Sequence, residues 1–287
     1  GRLAECVVHT GDEGVQEYME FVDRYAEGTV EKGNRKLEPE VGPDGTKHFY
    51  LTASIEDWEV NPGNVVKAWT YNGQVMGPTL RGKLGDVFEI TLVNNGTMAH
   101  SVDFHAGMVS PDTNMRDINP GERLVYRFRA EHTGIWLYHC ATMPMPVHLA
   151  AGMFGAVVID PPDLAPVDAE YLFTQSEWYL GPDGAPIDAD KVAAGIPDLV
   201  MFNGYANQYV YRPLRAKVGD RIRMWVLDAG PNEPLSFHVI GSQFDTVYKE
   251  GAYLLRRDNA LRGGSQALGL LPAQGGFVEM TFLEPGT

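Results

Sequence analysis

Five of the eight histidines, and one of the two cysteines, fall in the stretch from residue 100 to residue 148. The spacing there is His100-x4-His105, followed by His139-Cys140-x7-His148-x4-Met153. Two imidazoles, a cysteine thiolate and a weak axial thioether form the ligand set of a blue-copper electron-transfer site. We therefore predict a type 1 copper site with the ligands His100, Cys140, His148 and Met153.

The alternation of side chains along a strand separates the remaining donor residues from the type 1 ligands. Successive side chains of a strand point to opposite faces, so His139 and Cys140 cannot easily bind one metal. The simplest sorting places Cys140 with His100, and His139 with His105. His105 and His139 then form an incomplete second copper site, which needs at least one more ligand. Asp103 shares the parity of His105 and should lie near it, either as a structural carboxylate or as a proton-handling group.

The other histidines have no partner at a useful spacing. His9, His48 and His132 stand apart from the metal-ligand pattern. A lone histidine is more often a surface or core residue than a ligand. We expect these three side chains to lie at the surface.

The elements that must position the ligands follow a β pattern from about residue 48 onward. Apolar and β-branched runs alternate with turn signals such as Asn95-Gly96 and Pro120-Gly121. The predicted strands are 49–53, 65–69, 87–93, 124–128, 135–138 and 155–159. Before them, apolar residues at helical spacing between residues 11 and 28 predict one amphipathic helix, followed by a charged connector.

The second half of the sequence repeats the first. Asn72-Gly73, Leu80-Arg81 and Gly85-Asp86 recur in the same order as Asn203-Gly204, Leu214-Arg215 and Gly219-Asp220. This common order indicates a duplicated β domain, and Pro161-Pro162 marks the break between the copies. We predict a helical lead-in and connector over 1–47, a first domain with type 1 copper over 48–162, and a second domain over 163–287. The second copy stops where its last strands should begin, so we expect the natural chain to continue.

Composition excludes several classes of function. The 287 residues carry a formal net charge of -15, which argues against a general nucleic-acid binder because such proteins need a basic surface. No apolar run is long enough for a transmembrane helix, and the chain does not open with a recognisable signal peptide.

The motifs resemble a known family. His100-Ser101-Val102-Asp103-Phe104-His105-Ala106, Tyr138-His139-Cys140-Ala141 and His148-x4-Met153 resemble the first cupredoxin domain of copper nitrite reductases. Ser236-Phe237-His238-Val239-Ile240-Gly241, followed by Phe244-Asp245, resembles their second domain. The resemblance covers roughly residues 50–287. It implies an all-β fold of two tandem cupredoxin-like Greek-key sandwiches, which here follow the N-terminal helical lead-in.

The resemblance also implies an assembly and a reaction. Family members are homotrimers that reduce nitrite to nitric oxide with an electron from a donor protein, and they work outside the cytoplasm. Their type 2 copper lies between subunits, on two histidines that match His105 and His139. The third histidine comes from the neighbour's second domain, at a position that the internal repeat places beyond Thr287. Residues matching Asp103 and His238 deliver protons, and a residue matching Ile240 shapes the pocket.

Two other hypotheses about the function remain open, and one segment of the sequence departs from the family pattern. An oxygen-reducing multicopper oxidase would need a trinuclear cluster rich in His-x-His pairs, and this sequence has none. A blue-copper electron-transfer module would keep the type 1 site without catalysis. Residues 107–115 differ from the usual small-residue loop after the second histidine, which leaves the substrate open between nitrite and oxygen.

Overall fold

The computed structural model describes residues 32–182, 185–211 and 213–286. The amphipathic helix expected between residues 11 and 28, and His9, lie outside these ranges. Strands dominate the part of the chain that is described, and its helices are short. The all-β prediction is confirmed.

The described residues of the first half form nine strands, which are arranged in two sheets. The strands are β1 (Glu40–Val41), β2 (Lys47–Asn61), β3 (Asn64–Tyr71), β4 (Leu80–Lys83), β5 (Val87–Asn94), β6 (Asp103–Phe104), β7 (Arg123–Arg129), β8 (Gly134–His139) and β9 (Phe154–Asp160). A five-stranded sheet has the order β1-β2-β5-β7, with β3 paired to β2, and a four-stranded sheet has the order β4-β9-β8-β6. All six strands predicted from the sequence lie within these elements.

The strands of the second half are β10 (Ala169–Trp178), β11 (Leu199–Phe202), β12 (Arg221–Gly230), β13 (Leu235–Phe237), β14 (Thr246–Lys249), β15 (Ala252–Leu255), β16 (Leu268–Leu270) and β17 (Gly275–Thr281). They form a six-stranded sheet with the order β11-β10-β12-β17-β14-β15, and a two-stranded sheet of β13 and β16. The helices are α1 (Pro111–Asn114), α2 (Met145–Ala150), α3 (Ala189–Ala194) and α4 (Gln208–Tyr211). No sheet pairs a strand before Pro161 with one after Pro162 among the described residues, although the boundary itself remains a prediction.

The sequence repeat corresponds to a structural repeat. Asn72 and Asn203 both adopt positive φ, 55° and 54°, in the tight turn that follows a strand. The Asn72 Oδ1 atom accepts a hydrogen bond from the Thr52 backbone N–H at 2.7 Å, and Asn203 Oδ1 accepts one from Thr174 at 2.9 Å. Asparagine tolerates the left-handed conformation and its side chain can replace a backbone acceptor, so the same turn forms twice.

Burial alternates along the outer strands and is continuous in the inner ones. In β7 the side chains of Leu124, Tyr126 and Phe128 are buried and the residues between them are exposed. In β9, by contrast, six consecutive residues are buried. Burial is nearly continuous along β8 and β9 because β12, from the second half, also packs against them. Strand β8, which ends at the predicted ligand His139, is therefore enclosed between the two halves.

A bidentate ion pair links the two halves. The two terminal nitrogens of Arg81 donate to the Glu170 carboxylate at 2.7 and 3.1 Å, and Arg81 Nε donates to Asp160 at 3.0 Å. Arg223 and the Trp225 indole also donate to Glu170. These donors hold the pKa of Glu170 at about 2, against the desolvation that acts in the other direction.

His48 has no partner by sequence spacing, but the fold gives it one. Its Nδ1 lies 3.0 Å from Glu89 Oε1. The parallel register of β2 and β5 places the two residues opposite each other, a pairing that single-sequence spacing does not reveal. His132 is exposed, as expected. No helix in the described ranges is long and apolar enough to span a membrane.

Candidate metal centres

Three elements bring His100, Cys140 and His148 together, and we call these residues the cysteine cluster. His100 follows β5 and is held by paired backbone hydrogen bonds with Ile118, at 3.1 and 2.9 Å. Cys140 directly follows β8, and His148 lies in α2. The Cys140 Sγ atom is 3.4 Å from His148 Nδ1 and 3.9 Å from His100 Nδ1. All three side chains are buried, and Cys140 is a free thiol.

Met153 borders this cluster through its backbone. Its carbonyl oxygen accepts a hydrogen bond from the Cys140 N–H at 3.0 Å, and its own N–H donates to the His148 carbonyl at 3.2 Å. The side chain is fully buried. The chain between Cys140 and Met153 thus forms a closed loop that holds both ends of the predicted ligand set together.

Burial also sets the protonation state of the imidazoles. Desolvation lowers the pKa of His100 to about 4, with a further decrease from His148 and a small opposing effect of Asp117. Burial likewise lowers the pKa of His148. Both rings are therefore neutral at physiological pH, which is the form that can coordinate a metal.

Asp103, His105 and His139 form a second group, which we call the histidine cluster. The two Nε2 atoms of His105 and His139 are 3.0 Å apart, with ring centroids 5.1 Å apart. Asp103 Oδ2 lies 3.6 Å from His105 Nε2 and 3.9 Å from His139 Nε2. Asp103 and His139 are direct partners in the antiparallel pairing of β6 with β8. The sheet register explains why the carboxylate faces both rings.

The orientation of the His139 ring is fixed from its other side. Its Nδ1–H donates to the Cys140 carbonyl oxygen at 2.9 Å, so a neutral ring carries its lone pair on Nε2. His105 lies at the edge of the group and its side chain remains 31 % exposed. Burial, followed by the proximity of His139, lowers the pKa of His105, and Asp103 opposes this decrease. The cluster thus brings together two imidazole nitrogens and one carboxylate oxygen, with the His105 side chain at its solvent-exposed edge.

The structure does not bring His238 or Ile240 to either cluster. His238 follows β13, is exposed, and its Nδ1–H contacts the Gln266 carbonyl oxygen. The Ile240 side chain is 78 % exposed. Both residues lie on the surface of the second half.

Two residues next to the clusters were not predicted from the sequence. The Trp69 ring lies 4.7 Å from the His148 ring and 5.9 Å from the His100 ring, between centroids, and so forms one wall of the cysteine cluster. The Tyr126 hydroxyl is fully buried, and burial together with the Asp103 charge raises its pKa to about 12. Both residues fall on predicted strands, but their contacts are long-range and leave no signature in local spacing.

The donor atoms of both clusters fit copper. The cysteine cluster combines one sulfur and two imidazole nitrogens within 4.8 Å of one another, as blue-copper sites require. In the histidine cluster, nitrogens 3.0 Å apart match two ligands of one ion, given metal–nitrogen bonds of about 2.0–2.1 Å. His139 and Cys140 belong to different clusters, which is the division that strand parity predicts.

Comparison with known proteins identifies the family. Residues 53–164 match the model of a multicopper oxidase domain. A copper-containing nitrite reductase of Neisseria gonorrhoeae is 37% identical over 210 residues, which cover 70% of this chain and 54% of that protein. The nitrite reductase of Alcaligenes xylosoxydans xylosoxydans is 30% identical over 282 residues, covering 86% of this chain and 82% of the relative. The chain spans about half the length of the Neisseria relatives it matches.

Solved structures agree with these matches. The copper nitrite reductase of Nitrosomonas europaea superposes with a TM-score of 0.75 at 32% identity, covering 84% of this chain and 86% of that one. A crystal structure of a multicopper oxidase superposes with a TM-score of 0.74 at 25% identity. Fold, donor sets and sequence identity thus lead to one conclusion: the chain belongs to the copper-containing nitrite reductase family of multicopper oxidases.

Proposed function

We propose that the protein reduces nitrite to nitric oxide with one electron from a donor protein. The reaction consumes one electron and two protons for each nitrite and releases one water. The single observation that carries the proposal is the Asp103–His105–His139 group, because a mere electron carrier needs only the cysteine cluster. When bound, copper would supply one-electron transfer at the cysteine cluster and an electrophilic centre for nitrite at the histidine cluster.

His100, Cys140, His148 and Met153 are the proposed holders of the type 1 ion. The convergence of sulfur and two Nδ1 atoms, and the burial of Met153, support this assignment. The peptide between His139 and Cys140 is the proposed path for the electron between the clusters. The hydrogen bond from His139 Nδ1 to the Cys140 carbonyl supports that role, because it ties the His139 ring to this peptide.

His105 and His139 are the proposed holders of the type 2 ion, and Asp103 is the proposed proton donor. The Asp103 carboxylate lies within 4 Å of both imidazole nitrogens, so a proton on its oxygen would sit beside the substrate position. Such a group acts as a general acid. His238 would supply a second proton, and Ile240 would line the pocket of a neighbouring subunit.

A homotrimer would join these parts. Within the described residues, the histidine cluster has only two histidines, and the exposed His238 and Ile240 lie on other surfaces. We propose that a second subunit supplies His238, Ile240 and the missing third histidine. An extracytoplasmic location and a protein electron donor form part of the same proposal, on the analogy of the family.

Electron paramagnetic resonance of the copper-loaded, full-length protein tests this function. We expect two copper signals, only one of which changes on addition of nitrite, and nitric oxide release when a reduced donor is present. A single blue-copper signal that does not respond to nitrite would contradict the proposal and leave an electron-transfer module. Oxygen uptake with reduced metal ions or phenols, without nitrite turnover, would instead indicate an oxidase.

A further inference from the structure

A chain of hydrogen bonds connects the cysteine cluster with the surface. The Thr142 hydroxyl donates to Asp117 Oδ1 at 2.7 Å, and Thr142 Oγ1 lies 3.0 Å from Ser101 Oγ. Ser101 Oγ in turn accepts from the Ala141 N–H at 3.1 Å and lies 4.0 Å from Cys140 Sγ. Ser101 and Thr142 are buried, whereas Asp117 is exposed. We call the Asp117–Thr142–Ser101 series the hydroxyl chain.

The direction of every proton in the hydroxyl chain follows from its carboxylate end. A carboxylate only accepts, so the single hydroxyl proton of Thr142 points to Asp117. Thr142 Oγ1 can then only accept from Ser101, which uses the single hydroxyl proton of Ser101. Ser101 therefore has no O–H left for the cysteine sulfur 4.0 Å away.

The sulfur is left with a backbone donor from the same residue. The Ser101 N–H donates to Cys140 Sγ at 3.4 Å. Hydrogen bonds to the cysteine sulfur are among the features that tune the potential of a blue-copper site, because they withdraw electron density from the thiolate. A second donor, from the Ser101 hydroxyl, would change that density substantially.

The Asp117 charge itself also reaches the cluster. Its carboxylate is separated from Cys140 Sγ only by the Thr142 and Ser101 hydroxyls, along steps of 2.7, 3.0 and 4.0 Å. A negative charge near a metal favours the more oxidised, more positive ion. The carboxylate and the hydroxyl chain therefore act in the same direction.

We propose that Asp117, acting through Thr142, keeps the Ser101 hydroxyl turned away from Cys140 and thereby holds the reduction potential of the type 1 copper low. Asp117 and Thr142 are positioning residues in this scheme, since neither one is a ligand. The proposal rests on the proposed type 1 site, which it extends to the control of its potential.

Thr142→Val is the sharpest test, because it removes the acceptor of Ser101 and leaves the Asp117 charge in place. The Ser101 hydroxyl is then released to the sulfur. We expect the reduction potential of the type 1 copper to rise. The rise should correspond to a change of about threefold or more in the equilibrium constant for electron exchange with the donor. A tenfold change in that constant corresponds to about 59 mV for a one-electron couple. The sulfur-to-copper absorption should shift to higher energy. Thr142→Ser keeps the chain and should match the unaltered protein.

The Ser101→Ala background separates the hydroxyl chain from simple repacking. There, Thr142→Val should no longer change the potential, because no hydroxyl remains to turn. A Thr142→Val potential equal to that of Thr142→Ser would overturn the proposal. The proposal would also be overturned if Thr142→Val shifted the potential equally in the normal and in the Ser101→Ala background.

Asp117→Ala provides a second test, at an exposed position. Asp117→Ala should raise the type 1 copper potential when Ser101 is present. In the Ser101→Ala background the rise should be smaller, because only the effect of the lost negative charge remains. An identical rise in both backgrounds would contradict a role of the hydroxyl chain. Potentials and spectra need no nitrite. Failure of these shifts in a blue protein refutes this inference alone, whereas absence of any blue absorption refutes the type 1 site itself.

Discussion

His139 and Cys140 are neighbours in the chain, yet their side chains belong to two different clusters. His139 Nε2 lies 3.0 Å from His105 Nε2, while Cys140 Sγ lies 3.4 Å from His148 Nδ1. Successive side chains along a strand point to opposite faces. His139 is the last residue of β8 and Cys140 is the next residue, so their side chains point in opposite directions. One peptide therefore spans the distance between two potential metal sites.

Separate clusters predict separable losses. His139→Ala should remove about one copper per chain and lower nitrite turnover at least about hundredfold, because one of the two histidine ligands that this chain provides to the second site is lost. The blue absorption should persist, since no donor of the cysteine cluster changes. Metal analysis combined with visible and paramagnetic resonance spectra gives the readout.

His132→Ala is the matched control, since His132 is an exposed histidine of the loop before β8. It should leave copper content and turnover unchanged. Loss of the blue absorption in His139→Ala would show that the clusters are not independent.

Asp103→Asn tests the proton-donor role. The amide keeps the size of the carboxylate but cannot deliver a proton, and general acid catalysis contributes typically about 10²–10⁴-fold. We expect turnover to fall within that range while the copper content stays constant. Turnover should be measured as nitric oxide release across a series of pH values.

The exposed Asp112 in α1 provides the comparison. Asp112→Asn should behave like the unaltered protein. If Asp103→Asn retained full turnover with an unchanged pH profile, Asp103 would be a structural carboxylate.

Asp228 occupies in the second half the position that Asn94 occupies in the first. Asn94 Oδ1 accepts from Gly96 N–H at 2.9 Å, and Asp228 Oδ1 accepts from Gly230 N–H at 3.0 Å. The Asn94 amide also donates to the carbonyls of Met98 and Ile118. Asp228 Oδ2 is buried without a hydrogen-bond partner in the described structure. A neutral side chain therefore suits this position better than a charged one.

Asp228→Asn should remove part of the pH dependence of stability. Burial, with a smaller effect of Glu177, raises the pKa of Asp228 to about 7 from its usual 3.8. The folded state keeps a proton that the unfolded state releases, so this contribution is complete below about pH 4 and is lost as the pH rises to about 7. We expect the variant to exceed the unaltered protein by about 1–3 kcal/mol at pH 8, and the difference to shrink toward pH 4.

Urea denaturation at several pH values measures this difference. Asp163→Asn is a suitable control, because that carboxylate is half exposed and pairs only at the surface with Arg256. A constant difference between Asp228→Asn and the unaltered protein at all pH values would refute the assignment of the proton to Asp228.

Arg81→Lys should weaken the link between the two halves. Lysine cannot reproduce the two parallel bonds to Glu170 together with the bond to Asp160. We expect a loss of about 1–3 kcal/mol in the free energy of unfolding, since one partner of a partly buried network is left incomplete. Arg129→Lys, on an exposed face of β7, should change stability by less than about 0.5 kcal/mol. Equal effects of the two substitutions would contradict the structural importance of the Arg81 network.

The sequence alone determined whatever depends on local geometry. Ligand types, their spacing and the opposite faces of His139 and Cys140 follow from residue identity and from the two-residue period of a strand. The repeated Asn-Gly turns at Asn72 and Asn203 follow from the tolerance of asparagine for positive φ. The strands and the all-β fold were predictable because apolar runs and turn signals are also local features of the sequence.

Only the tertiary structure decided what depends on sheet register and on loops that meet in space. The position of Asp103 against His139 requires the pairing of β6 with β8, and the contact of His48 with Glu89 requires the parallel register of β2 and β5. The Trp69 wall and the bond from Thr142 to Asp117 join segments separated by tens of residues. Such contacts come from the packing of the whole chain, so no local pattern encodes them.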